Sequence, residues 1–153
     1  MKSILFSEIK SLPRAEFSGP GIYIVWSGRG KALYVGRTTN MRGRLMQHRQ
    51  IIELGNSGGI TKFHDAAFKS RGGHRQWRID ILTYDEARVH YHVQADSPAQ
   101  IETELIGKLA ARLNTMDRPV RIIGTRNLGD AAKVMALWRA GDADRAFAWP
   151  PWP

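Results

Sequence analysis

Residues 19–48 carry two tyrosines, Tyr23 and Tyr34, followed by Arg44 and His48, which are four positions apart. Side chains at that spacing project from one face of a helix. Farther on, Glu102 sits among Ile101, Leu105 and Ile106, on the border of an apolar stripe. A carboxylate placed there needs a cation or several donors, because burying an unpaired charge is costly. An arginine or a divalent metal would serve. A guanidinium grips two phosphate oxygens at once, a phenol or imidazole moves a proton, and a carboxylate can hold a Lewis-acidic metal. Those are the parts that cutting a phosphodiester requires. Each also has a plainer reading. The tyrosines could be a cross-strand aromatic pair, and Arg44 and His48 a solvated helix face.

The segments that must position these side chains can be read from local pattern. "GIYIVW" and "ALYVG" are short, β-branched or aromatic, and bounded by glycine, which predicts two strands of a hairpin. A two-residue turn at Gly28-Arg29 would set Tyr23 opposite Tyr34, with Ile22, Ile24, Leu33 and Val35 on the other face. "TTNMRGRLMQHRQIIEL" predicts a helix capped near Thr39 or Asn40 and ended at Gly55, docked through Met41, Leu45 and Ile52. Residues 3–12 read as a short helix, "ITKFHDAAFK" as another, and "QWRIDILTY" as a third strand. "ARVHYHV" alternates like a fourth, so "YDEARVHYHVQAD" reads as an inserted strand or hairpin. In "SPAQIETELIGKLAARL", Ser97 is an N-cap, Pro98 the first helical residue and Gln100 the partner in a capping box. Without regular βαβ alternation, the fold class expected is α+β with a small, mainly antiparallel sheet flanked by helices.

At 153 residues the chain is most simply a single domain, residues 1–153. Its 23 Lys+Arg against 14 Asp+Glu give a net charge of +9, with arginine prevailing, which suits a polyanionic partner. Arg37, Arg42, Arg49 and Lys31 are the expected general phosphate contacts. The absence of cysteine excludes disulfides and thiolate metal sites. No apolar run reaches the length of a membrane span, so no membrane partner is expected. The N-terminus is too short and charged for a secretory signal, so the cytoplasm is the default. His90 and His92 read better as a solvent-facing edge than as a second metal site, and His64 and His74 carry no signal.

These residues resemble the GIY-YIG nuclease family. "GIY" stands at Gly21-Ile22-Tyr23, and the second tripeptide has the form "YVG" at Tyr34-Val35-Gly36. The family arginine falls eight residues after that glycine, at Arg44, and its frequent histidine four further, at His48. "ETELIGKLAARLN" matches the family's E-x-x-L-I pattern at Glu102, with an asparagine twelve residues on at Asn114. The tetrapeptide Ala111-Arg112-Leu113-Asn114 departs from the Pro-x-Tyr-Asn common in members.

The resemblance implies a nuclease core over residues 19–114 with a three-stranded antiparallel sheet, and a helical C-terminal extension over 115–153 packing on it. It implies an endonuclease cutting nucleic acid, most simply DNA, with one Mg²⁺ or Mn²⁺ ion held by Glu102. Arg44 would clamp the phosphate, one of Tyr23 and Tyr34 would act as general base, and His48 would assist at the phosphate or polarise a tyrosine. Asn114, Gly21 and Gly36 would support the site. The alternative is a nucleic-acid-binding module of the same fold without catalysis. The Trp-rich tail is expected to pack on the domain, its other uses being a protein-partner or homodimer surface, or base stacking.

Overall fold

The computed structural model describes residues 1–53 and 62–114. Its sheet has four strands: β1 (Lys2–Leu5), β2 (Gly21–Trp26), β3 (Ala32–Thr38) and β4 (Arg78–Leu82). They lie in the order β1-β4-β2-β3, every pair antiparallel. Helices α1 (Arg14–Phe17), α2 (Met41–Glu53), α3 (Lys62–Lys69), α4 (Tyr84–His90) and α5 (Pro98–Leu109) surround it. The class is α+β, as the sequence predicts. The C-terminal extension expected over 115–153 and the helix end expected at Gly55 fall outside the described residues.

Each sheet face buries its own core. Tyr23, Val25, Tyr34, Ile79 and Ile81 pack with Met41, Leu45 and Ile52 of α2 and Phe63 of α3. Ile22, Ile24, Val35 and Leu82 pack with Ala87 of α4 and Ile101 and Leu105 of α5. Both faces of β2 are therefore covered, which is why "GIYIV" is buried without alternation.

Three expectations are corrected. The segment read as a helix over residues 3–12 begins as β1, which pairs Ser3 with Asp80 and Ile4 with Ile79, and continues as a 3-10 helix over Phe6–Ser11. The backbone of β4 needs a partner on that side, and the tertiary pairing overrides local propensity. The inserted strand or hairpin is instead α4. Thr83 Oγ1 accepts from the Glu86 N–H and the Glu86 carboxylate accepts from the Thr83 N–H, each at 3.1 Å. That is a capping box, and Val89 points to water, so the apparent alternation buries no second face.

The third correction is the hairpin register. Tyr23 pairs with Gly36 and Val25 with Tyr34, a shift of two. The loop holds three residues, closed by Gly30 N–H to the Ser27 carbonyl at 2.9 Å and Ser27 N–H to the Lys31 carbonyl at 2.8 Å. Gly30 takes the left-handed φ of 77° that such a loop demands. A shift of two preserves the face, so the tyrosines still share one side. A bulge after Val25 turns Leu33 toward that side as well, away from the aliphatic face predicted for it.

Strand β3 is the edge beside the tyrosines. Asn114 seals it by accepting the Val35 N–H at 2.7 Å and donating to the Val35 carbonyl at 2.6 Å, while Leu113 N–H donates to the Leu33 carbonyl. One amide side chain thus satisfies both backbone groups of an edge residue.

Candidate active site

Helix α2 begins where Asn40 accepts the Gly43 N–H at 3.1 Å, an N-cap that fixes the helix phase. That phase turns Met41, Leu45 and Ile52 onto the sheet and carries Arg44 and His48 inward with them. Arg44 is 9% exposed and His48 1%, so both lie deeper than the border position their spacing predicts.

His48 is the hub. Its Nε2 lies 2.5 Å from the Tyr23 hydroxyl, and its Nδ1 lies 2.8 Å from Nε2 of His64 on α3. The Tyr23 and Tyr34 rings are 6.0 Å apart as diagonal neighbours, and Tyr34 stacks on Phe63 at 4.8 Å. Phe63 and His64 are members of this neighbourhood that the sequence did not single out. Phe63 could have been found from the i,i+4 pair Phe63/Ala67 on the inner face of α3. His64 has no such signature, because its partner is sixteen residues away and meets it only through tertiary packing.

The motif glycines are there for space. A Cβ on Gly36 would lie 2.2 Å from Cζ of Tyr23 and 2.3 Å from its hydroxyl, so the phenol lies against bare backbone. A Cβ on Gly21 would meet the Leu82 carbonyl oxygen at 2.4 Å, breaking the close approach of β2 to β4.

Glu102 reaches the β3 edge from α5. Its side chain is 26% exposed, and Arg37 Nε stands 3.5 Å from Oε1. Tyr84 joins this rim, with its hydroxyl donating to the Thr38 carbonyl at 3.4 Å. Burial and the Glu102 charge raise the Tyr84 phenol above its usual value, with Arg37 opposing. Among the described residues no three His, Asp or Glu side chains gather as a metal cage. Mg²⁺ does not need one, since it usually keeps several waters and takes one or two carboxylates plus phosphate oxygens. A single, partly open carboxylate at Glu102 fits that mode of binding.

The other basic residues separate. Arg37 joins the site, while Arg42 donates through Nε to the Leu12 carbonyl at 2.9 Å and so ties α2 to the N-terminal segment. Arg49 pairs with Glu53 along α2 at 3.0 Å, and Lys31 lies at the hairpin tip with Arg29 and Arg112. His74 is buried against Phe6 and Trp77, outside the site. His90 and His92 end α4 and its following turn, and are exposed.

Burial dominates the electrostatics. It pushes the Tyr23 phenol well above its ordinary value, reinforced by Tyr34 and Glu102 and opposed by Arg44. It holds His48 well below the usual imidazole range, with His64 and Arg44 adding to the effect. Burial, then Arg44, brings His64 down to about 3. Both rings are therefore neutral at physiological pH, and Tyr23 keeps its proton. Because the unfolded chain protonates His64 near 6.5 and the folded one only near 3, stability is full above 6.5 and falls below it. Between pH 6.5 and 5 the wild type should lose about 2 kcal/mol more than His64→Gln, at about 1.4 kcal/mol per pH unit. Denaturant melts of both proteins measure this, and parallel pH profiles would contradict it.

Beside Arg44 opens a cleft of about 190 Å³ lined by Thr38, Thr39, Asn40, Gly43 and Gln47. It combines a buried guanidinium, hydroxyls and the N-terminus of α2, features that favour an anion. A family model described as the GIY-YIG catalytic domain matches residues 19–116, more than half of the chain. No curated protein and no solved structure matches it.

Proposed function

The chain belongs to the GIY-YIG family, a nuclease family, and we propose that it is an endonuclease that hydrolyses phosphodiesters in nucleic acid, with DNA as substrate. The observation that carries this reading is the joining of Tyr23, His48 and Arg44 in one buried cluster. The scissile phosphate binds against Arg44 in the cleft at the start of α2, where the guanidinium neutralises the charge that grows in the transition state. Tyr23 takes a proton from the attacking water as its own proton passes to His48 Nε2, 2.5 Å away. Tyr23 is assigned as general base because His48 Nε2 gives its proton a destination. Tyr34, stacked on Phe63, orients the water and the phosphate.

Glu102 would hold one Mg²⁺ or Mn²⁺, with Arg37 turning from the carboxylate to the nucleic-acid backbone. When bound, the ion supplies Lewis-acid stabilisation of the phosphate and the leaving oxygen. Among the described residues no helix is long and apolar enough to cross a membrane, and the cytoplasm is the compartment proposed. A protein partner or homodimer at the Trp-rich tail is a further proposal, which rests on composition alone.

Supercoiled plasmid, branched DNA and RNA, each incubated with Mg²⁺, Mn²⁺ or chelator, test the proposal. Nicking of DNA that stops in chelator and returns with added metal is the expected result. Full-rate cutting in chelator would refute metal dependence. Binding without nicking under every condition would favour the inactive module.

A further inference from the structure

Helix α3 brings His64 into the buried cluster from a part of the chain outside the catalytic motifs. His64 is 1% exposed, and its ring lies 5.0 Å from that of His48 at an angle of 52°. The Nδ1 of His48 and the Nε2 of His64 are 2.8 Å apart, so one of the two nitrogens carries the shared proton. We infer that His64 is a positioning residue: its Nε2 accepts the Nδ1–H of His48, fixing His48 in the tautomer whose bare Nε2 accepts the Tyr23 hydroxyl proton.

With both rings neutral, only two proton arrangements satisfy both bonds. In one, Tyr23 donates to His48 and His48 donates to His64. In the other, every bond is reversed and an imidazole N–H donates to the phenol oxygen. A phenol is the stronger acid and an imidazole nitrogen the stronger base, so the short 2.5 Å contact is O–H···N. That choice sets the rest of the chain. The Tyr23 oxygen, which also hydrogen-bonds with Tyr34, is left as the acceptor for an incoming proton, while the His48 nitrogen behind it is ready to receive the outgoing one. Without His64, the Nδ1–H of His48 loses this acceptor, and the opposite tautomer, which closes Nε2 to Tyr23, becomes competitive. The inference deepens the nuclease reading and rests on it for its kinetic consequence, but the tautomer itself does not depend on activity.

The test compares wild type, His64→Leu and His64→Gln as full chains, after circular dichroism establishes that each is folded. Histidine ¹⁵N NMR of the wild type should show His48 with a protonated Nδ1 and a bare Nε2. His64→Leu should show a mixture of tautomers, and its plasmid nicking should fall about 10–100-fold with DNA affinity unchanged. Glutamine can present an oxygen near the position of Nε2, so His64→Gln should recover to within about threefold of wild type. A wild-type spectrum with the His48 proton on Nε2, or averaged over both nitrogens, overturns the inference. So does a folded His64→Leu that keeps the wild-type rate. Should His64→Leu fail to fold, the wild-type spectrum and the glutamine variant decide. If the wild type cuts nothing, the nuclease reading fails, and the spectrum still decides the role of His64.

Discussion

Arg44→Ala is expected to lower the cleavage rate by about 10³-fold or more while leaving most of the DNA affinity in place. An arginine that meets the charge developing on a transferred phosphoryl group is worth roughly 10³–10⁵ in rate. Its share of ground-state binding is one phosphate contact among several, so the salt dependence of affinity should fall by only about one unit of slope. Arg44 has a second effect here. Its charge opposes the burial that raises the Tyr23 phenol, and it helps hold His48 and His64 neutral. Removing it makes Tyr23 a more reluctant proton donor and makes His48 and His64 easier to protonate, so the pH profile of any residual activity should change as well as its height. Arg44→Lys restores the charge but not the planar pair of donors, and should recover only part of the loss. Quantified nicking of supercoiled plasmid, with filter binding at several salt concentrations, reads both effects. A folded Arg44→Ala cutting within tenfold of wild type would remove Arg44 from the mechanism.

What the sequence made legible follows the range of the interactions. The Ser97 cap, read from neighbouring residues, is present: its side chain accepts the Gln100 N–H. Apart from Leu33, which the bulge turns over, the faces of β2 and β3 were legible because side-chain alternation survives a shift of two, although the register did not survive a three-residue loop. Locally, residues 2–5 show nothing of the strand that β4 recruits from them. The run at 84–90 carried the opposite error. Its capping box was available in the sequence as Thr83 and Glu86, but the alternation of histidine and valine outweighed it. Within the site, Arg44 and His48 were legible from their i,i+4 spacing, and the depth of their burial was not. Depth depends on Phe63 and His64 closing over them from a helix with no motif of its own.

The second large effect concerns a residue with no side chain. Gly36 faces Tyr23 across the ladder, and the phenol occupies the volume where a Cβ would stand. At 2.2 Å from Cζ, an added methyl cannot be absorbed by small adjustments, because β3 is held by its pairing to β2 and by Asn114 at Val35. The ring must move instead. It is 1% exposed and packed against His48 and Tyr34, so moving it separates the Tyr23 hydroxyl from His48 Nε2 and overpacks the core. Gly36→Ala should therefore cost about 1–3 kcal/mol of stability and at least about 10²-fold in cleavage, the loss expected of a catalytic group displaced by about 1 Å. Tyr23→Ala alone should also be destabilising, by about 3–5 kcal/mol, through the cavity it leaves. If the steric account is right, the two changes are not additive. In Gly36→Ala/Tyr23→Ala the new methyl points into the space the ring vacated, so the double variant should be more stable than the sum by about 1–2 kcal/mol. Thermal melts of the four proteins close that cycle. Simple additivity, or a Gly36→Ala protein with the wild-type melting temperature and rate, would show that the "YVG" glycine does something other than make room for the phenol.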